Sequence, residues 1–355
     1  MKRVILTIVI GLWLVPVWAP AQGAWQLNLE KTTGLGRGDF FFASIEAVAE
    51  DREGNIFVLD RKAYKVYRFS PDGRLLLSDG NKGQGPGDFS APHALFITEN
   101  NELAVCDDMT YVSFFDLNGR FLRRLQVPHG LELTMIGSDR FYAWQWTEKG
   151  RQQIAVDARG QVTDTFFEVF KEDFSVSAPD ETGRLVMSNY SCEAYTPTLL
   201  FSQYRGYAAL ARSDRYRILI LNGSGKRPTE IVRDIKPLPV LQKEREYFKG
   251  LIDARNDLYP SARKKFFDKI PAEKNYFDRL LLSDSYLFVF RVKDDAGDEK
   301  GTTPVDVFDL TGKFLGSLAM PIKPLLVTGK CLYTVTEEDE NLILTRYTYT
   351  LTRHP

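Results

Sequence analysis

The chain has 355 residues, with 46 Lys and Arg against 47 Asp and Glu and a formal charge of −1. At 44% hydrophobic and 26% charged it has a globular composition, which excludes wholesale disorder, a collagen-like chain and a polytopic membrane protein. The balanced charge leaves no long-range field for nucleic acid, which needs a basic stripe. The 24 Phe and 16 Tyr favour strands, whereas 3 His leave little imidazole for acid–base or metal chemistry.

Lys2 and Arg3 precede an apolar run from Val4 to Trp18, and Ala19-Pro20-Ala21 follows with small residues. A basic start, an apolar run of this length and an A-x-A-like end read as a secretory signal peptide over 1–21, leaving a mature chain of 22–355. The run is short for a membrane span and contains Pro16, which weighs against a retained anchor helix. The expected location is therefore exported, periplasmic or extracellular, where disulfides are possible. Cys106, Cys192 and Cys331 are odd in number, far apart and outside any CxxC, so no disulfide framework is predicted.

From there the chain repeats one pattern: strand, turn, strand, strand, turn, strand. IEAVAED, IFVLD, KVYRF and LLLS form the first clear unit, and ALFITE, ELAVCD, YVSFFD and RFLRRL the second. LTMIG, FYAWQ, QQIAVD and QVTDTF form a third, YAALA, YRILIL and TEIVRD belong to a fourth, and FDRLLLS, SYLFVF, VDVFDL and KFLGSL form a fifth. Short strands of period two closed by Asp/Asn-Gly turns are β-hairpin chemistry, with glycine supplying the positive φ. The last unit, PLLVTG, CLYTV and LILTRYTYTL, lacks a fourth strand, which WQLNL at Trp25–Leu29 can supply. The prediction is an all-β, six-bladed β-propeller whose ring is closed by pairing the two ends of the chain.

Gly83-Gln84-Gly85-Pro86-Gly87-Asp88-Phe89, then Pro92-His93-Ala94 and a strand ending in Asp107, resembles the NHL-repeat pattern of six-bladed propellers. GLGRGDF, Gly34 to Phe40, followed by a unit ending in Asp60, is a shorter version. The resemblance is good over 34–128. Beyond it the chain resembles uncharacterised exported bacterial six-bladed propeller proteins, in SDRYRI, VFDLTGKFLG and the terminal TRY. It implies an architecture and carries no catalytic residues.

The glycines closing the third turns, Gly73, Gly119, Gly160, Gly225 and Gly312, are spaced by 46, 41, 65 and 87 residues. A plain blade takes about 40–45 residues, so the last two gaps hold insertions of about 20 and about 40. They fall at 170–197 and 236–276, with a smaller surplus at 293–303, all in connections that emerge on one face. Elaborated loops over a plain back mark a working face. The apolar spacing of Leu241, Tyr247, Phe248, Leu251 and Ile252 predicts a helical insertion between blades 4 and 5, with a second short helix from Ser261 to Lys269. Phe266 and Phe267 are placed to pin it to the propeller rim.

No constellation stands out as catalytic. The chain lacks GxSxG, an EF-hand spacing and a glycine loop between strand and helix. Asp60 and Asp107 recur at one repeat position, where a carboxylate commonly ties loop N–H groups. The candidate binding residues on the loop-rich face are Arg61, Tyr64, His93, Tyr111, Trp144, Trp146, Arg212, Tyr216 and Arg291, because arginine and aromatics anchor interfaces and stack on ligands. Alternation along each strand sends some of them into the core instead. The expected role is a module binding a protein, peptide or glycan ligand, without nucleic acid and meeting a membrane only through its signal peptide. The alternative is an envelope lyase or lactone hydrolase using a divalent cation in the central channel; no other cofactor is expected.

Overall fold

Alternating apolar residues make each strand of the repeat bury both its faces only when a sheet lies on either side. The computed structural model satisfies this with six four-stranded antiparallel sheets arranged as blades in a ring. It describes residues 25–35, 40–108, 111–126, 133–136, 140–147, 150–157, 159, 161–166, 175–180, 182–189, 197–222, 228–256, 258–293 and 301–353. The expected signal peptide, Cys192, His129 and most of the 293–303 connection lie outside the described residues.

Blade 1 comprises Ala47–Glu50, Ile56–Asp60, Lys65–Phe69 and Leu75–Asp79, in that order from the axis outward. Blades 2, 3, 4 and 5 occupy 92–126, 133–165, 199–232 and 277–320 in the same order. Blade 6 is built from Leu326–Val327, Cys331–Glu338 and Asn341–Arg353, with Trp25–Leu35 as its outermost strand. That strand runs antiparallel to the last one, from Trp25 opposite Arg353 to Leu35 opposite Leu344. The expected closure is present, and it extends beyond Leu29 to Leu35, into the first glycine segment.

Among the described residues, one apolar cluster fills each gap between neighbouring blades. Val48 and Tyr67 of blade 1 meet Tyr333 and Leu344 of blade 6, and Phe57 meets Val105 and Phe115 of blade 2. Phe114 meets Phe141, Tyr142 meets Leu210, Tyr216 meets Phe277 and Phe288 meets Tyr349. This is where the phenylalanine and tyrosine surplus goes. Cys106 and Cys331 are buried free thiols in these clusters, and burial pushes the Cys106 thiol up to about 12. Among the described residues, no helix is long and apolar enough to cross a membrane.

Leu27 and Leu29 of the closing strand pack against the cluster between blades 5 and 6 while half-buried. Leu27→Ala and Leu29→Ala are each expected to cost about 1–2 kcal/mol, below the range for fully buried leucines. Urea unfolding of the mature protein checks this.

Candidate functional site

Strand direction sorts the connections onto two faces. Second-to-third-strand turns and the links between blades lie on one face, and first-to-second and third-to-fourth turns on the other. On the first face Asp60, fully buried at the end of its strand, accepts hydrogen bonds from Ala43 N at 2.7 Å, Ser44 N at 2.9 Å and Ala63 N at 3.0 Å. Asp107 accepts from Ser90 N and from Ala91 N at 2.6 Å. In blade 4, Ser213 Oγ accepts from Thr198 N at 2.7 Å. These side chains tie each incoming loop to its blade, as the repeat position implied, and are thereby occupied. The glycine segment 83–89 is also structural: the Arg124 guanidinium donates to the Gln84, Gly85 and Asp88 carbonyls, and Phe89 is buried between blades 1 and 2.

The two long insertions are one unit. Helices α1, Gln242–Asp253, and α2, Pro260–Asp268, occupy the second. The first contains an unforeseen hairpin, Ser175–Pro179 with Leu185–Asn189, turned at Asp180 and Gly183. Ala178 of the hairpin shares a core with Val240, Phe248, Ile252, Leu258, Ala262, Phe266 and Ile270, and Ser261 Oγ donates to Pro179 O at 2.9 Å. Phe266 therefore packs inside this subdomain rather than on the propeller rim, because the hairpin offers it an apolar partner. One Glu244 oxygen caps α1 by accepting from Leu241 N at 2.8 Å. The other meets Lys274 Nζ at 2.5 Å, with both side chains buried. Lys274 Nζ also donates to Lys293 O at 2.9 Å, joining the subdomain to blade 5.

Where this subdomain meets blades 4 and 5 lies a crevice of about 270 Å³, lined by Pro197, Asp214, Pro237, Pro271, Glu273, Tyr276 and their neighbours. Arg212 forks onto Asp214, with Nε and Nη2 at 2.6 and 2.5 Å from the carboxylate oxygens. The Tyr276 hydroxyl is held above its ordinary pKa by burial and then by the charges of Glu273, Asp234 and Asp214.

The other predicted residues scatter. Arg61 is exposed, with Glu46 at 3.7 Å. Tyr64 is half-buried at φ 56° with Lys82 Nζ 5.3 Å above its ring, and Tyr111 carries the Arg124 guanidinium at 5.5 Å. His93 sits at an irregularity of the innermost strand of blade 2, its Nδ1 3.5 Å from Ala91 O. Arg291 ends a strand opposite Phe277. Trp144 and Trp146 pair with Gln153 and Arg151 in blade 3, and their side chains lie outside the described residues. Tyr216 is a correction. It is buried between blades 4 and 5, its hydroxyl donates to Asp306 at 2.5 Å, and Arg233 covers its ring, so it supports the core and offers nothing to a ligand. Of the seven with described side chains, none lines the crevice; Arg212 reaches it through Asp214.

The opposite face is plain in its turns but not in its chemistry. At its axial mouth the turn Arg205-Gly206 of blade 4 has φ of 43° and 83°. Arg205 Nη1 donates to Asp284 of blade 5 at 2.9 Å, and Nη2 to the Asp51 carbonyl of blade 1 at 3.1 Å. Asp284 also accepts from Tyr204 Oη at 3.3 Å and from Gly329 N of blade 6 at 2.8 Å. Tyr333 of blade 6 donates to Glu50 of blade 1. Sequence reasoning missed all of these; only the tight hairpin Tyr204-Arg205-Gly206-Tyr207, which demands two positive φ values, hinted at a turn placed for a purpose.

Residues 37–204 match the family DUF5128, described as a 6-bladed beta-propeller. The chain is a six-bladed β-propeller, similar to that family over its first three blades and the opening of the fourth. No curated protein matches it in sequence. Among solved structures, a member of the duf4221 family from Bacteroides vulgatus superposes with a TM-score of 0.58 at 12% identity, covering 94% of this chain and 100% of that one. A candidate exported protein from Bacteroides fragilis gives 0.55 at 13% identity, over 92% and 95%. Virginiamycin B lyase from Staphylococcus aureus gives 0.42 at 10% identity, over 91% and 99%. At these identities the likeness concerns the fold alone.

Two substitutions probe the two faces. Lys274→Met takes the buried cation away from the Glu244 carboxylate and is expected to cost about 3–5 kcal/mol, much of it recovered by adding Glu244→Gln; hydrogen exchange in α1 reports it. Burial holds the Glu50 carboxyl above its ordinary range, with the Tyr333 hydrogen bond and the Arg346 and Arg205 charges pulling it back. A raised acid stabilises the fold below its unfolded pKa and loses that contribution as pH rises through the folded one. Glu50→Gln should therefore melt higher than the wild type above that range and alike below it, in melts from about pH 3 to about pH 8.

Proposed function

We propose that the protein is an exported binding module whose crevice, between the insertion subdomain and blades 4 and 5, takes a basic peptide or protein segment. The single observation behind this is that two separate interblade connections build one subdomain with its own core, and a crevice opens where it meets the ring. Walls of Pro197, Pro237, Pro271 and Tyr276 are stiff, so little side-chain entropy is lost on binding. Glu273 complements a positive ligand, whereas Asp214 is already neutralised by Arg212. Export to the periplasm or beyond rests on the N-terminal segment, Lys2 through Ala21, and accords with a structural neighbour that is a candidate exported protein. The enzymatic reading needs a cation held by several side chains. Among the described residues no three His, Cys, Asp or Glu converge to hold one, so no specific observation favours it.

Arrays of peptides and glycans probed with the mature protein test the reading. Lysine- or arginine-containing peptides are expected to bind, with affinity falling about tenfold or more in Tyr276→Ala and in Glu273→Gln, and with the melting temperature unchanged in Glu273→Gln. Binding confined to glycans, or unchanged in both variants, refutes it.

A further inference from the structure

Inside the plain-face mouth lies a cavity of about 90 Å³, walled by the innermost strands of blades 1, 2 and 4 and by Leu326 of blade 6. We propose that this axial cavity is a second binding site, for a small organic ammonium group. It is separate from the crevice and at the opposite end of the ring.

The cavity wall carries acceptors that the protein's own donors leave unsatisfied. Several donors beside the wall are already committed. Arg205 Nη1 and Nη2 serve Asp284 and the Asp51 carbonyl, Tyr204 Oη serves Asp284, and Tyr333 Oη serves Glu50. Acceptors are left over. Gln203 Oε1 is buried and has no hydrogen-bond partner among the described residues. Glu50, which accepts from Tyr333 through Oε2, also lines the cavity. Glu99 brings a second carboxylate from blade 2. A buried acceptor without a donor is costly, and an ammonium group supplies three.

The local backbone is shaped for this arrangement. The φ of 83° at Gly206 favours glycine in the blade 4 turn, beside which the Glu99 carboxylate lies. The Arg205 charge that would repel a cation is neutralised by Asp284 at 2.9 Å. Phe96, Tyr204 and Tyr207 line the space, their rings packed into the neighbouring gaps between blades. The remaining wall, including Val48, Leu95 and Ile97, is apolar. It suits a short alkyl chain behind the ammonium and does not suit a metal ion, which takes six or more oxygen ligands as calcium or keeps its waters as magnesium. The space admits several water-sized groups, hence a small amine or the tip of a lysine side chain.

Titration calorimetry of the mature protein with n-butylammonium chloride tests the site, with sodium butyrate as the matched anion. Saturable binding of the amine in the millimolar range is expected, with none of butyrate. Glu99→Gln should weaken it about tenfold, the worth of one charge-assisted contact, and Gln203→Glu should tighten it. Glu273→Gln, in the crevice, should leave it unchanged, which separates this site from the one proposed above. Circular dichroism melts establish that each variant is folded. Absence of saturable amine binding, equal binding of butyrate, or indifference to both Glu99→Gln and Gln203→Glu overturns the proposal.

Discussion

Each blade of this ring has two apolar faces and can bury them only between two neighbours, so every blade depends on the next. The clusters between blades, from Phe57 with Phe115 around to Tyr333 with Val48, form a circular chain of packing with no natural end. The constraint falls hardest where the polypeptide itself ends. Pairing Trp25–Leu35 with the terminal strand turns an open array, with two bare apolar faces and a free sheet edge, into a closed one. Side chains reinforce the seam: Tyr333 of blade 6 reaches Glu50 of blade 1, and Arg346 donates to the Pro71 carbonyl across the same gap.

Closure also fixes what the two faces can be. One face receives the interblade links, and there the chain adds length. The hairpin and helices α1 and α2 have too little apolar surface to fold separately and share one core instead. The buried Glu244–Lys274 pair then anchors them to the ring. Such a pair contributes little net stability, since desolvation offsets the attraction, but it tolerates only one placement of the helix. We suggest that this fixed placement gives the crevice its shape.

The other face has short turns, yet the ring brings those turns together around the axis. Arg205, Asp284, Glu50 and Tyr333 come from four blades and lie up to 283 residues apart in sequence. Beside them the Gln203 amide oxygen is buried without a hydrogen-bond partner among the described residues. Polar groups in such a place are costly unless paired. The axis therefore differs from the apolar gaps between blades, where Tyr216 finds Asp306 and Arg233 and is fully accounted for.

The sequence by itself determined the blades. Period-two strands, Asp-Gly turns and the spacing of Gly73, Gly119 and Gly312 are local signals, and they set strand number, turn positions and the sites of the insertions. The role of Asp60 and Asp107 was legible for the same reason, since a repeated position implies a repeated bond. What the two insertions pack against was not legible, because Phe266 shares its core with Ala178, 88 residues earlier, in a segment with little pattern of its own. Nor was the fate of Tyr216, since alternation says that a side chain faces a gap or a face without saying which. Where charge converges follows from contacts between distant blades. The axial groups each sit on a different blade in an unremarkable turn, and their meeting is a property of the closed ring, which no short stretch of sequence contains.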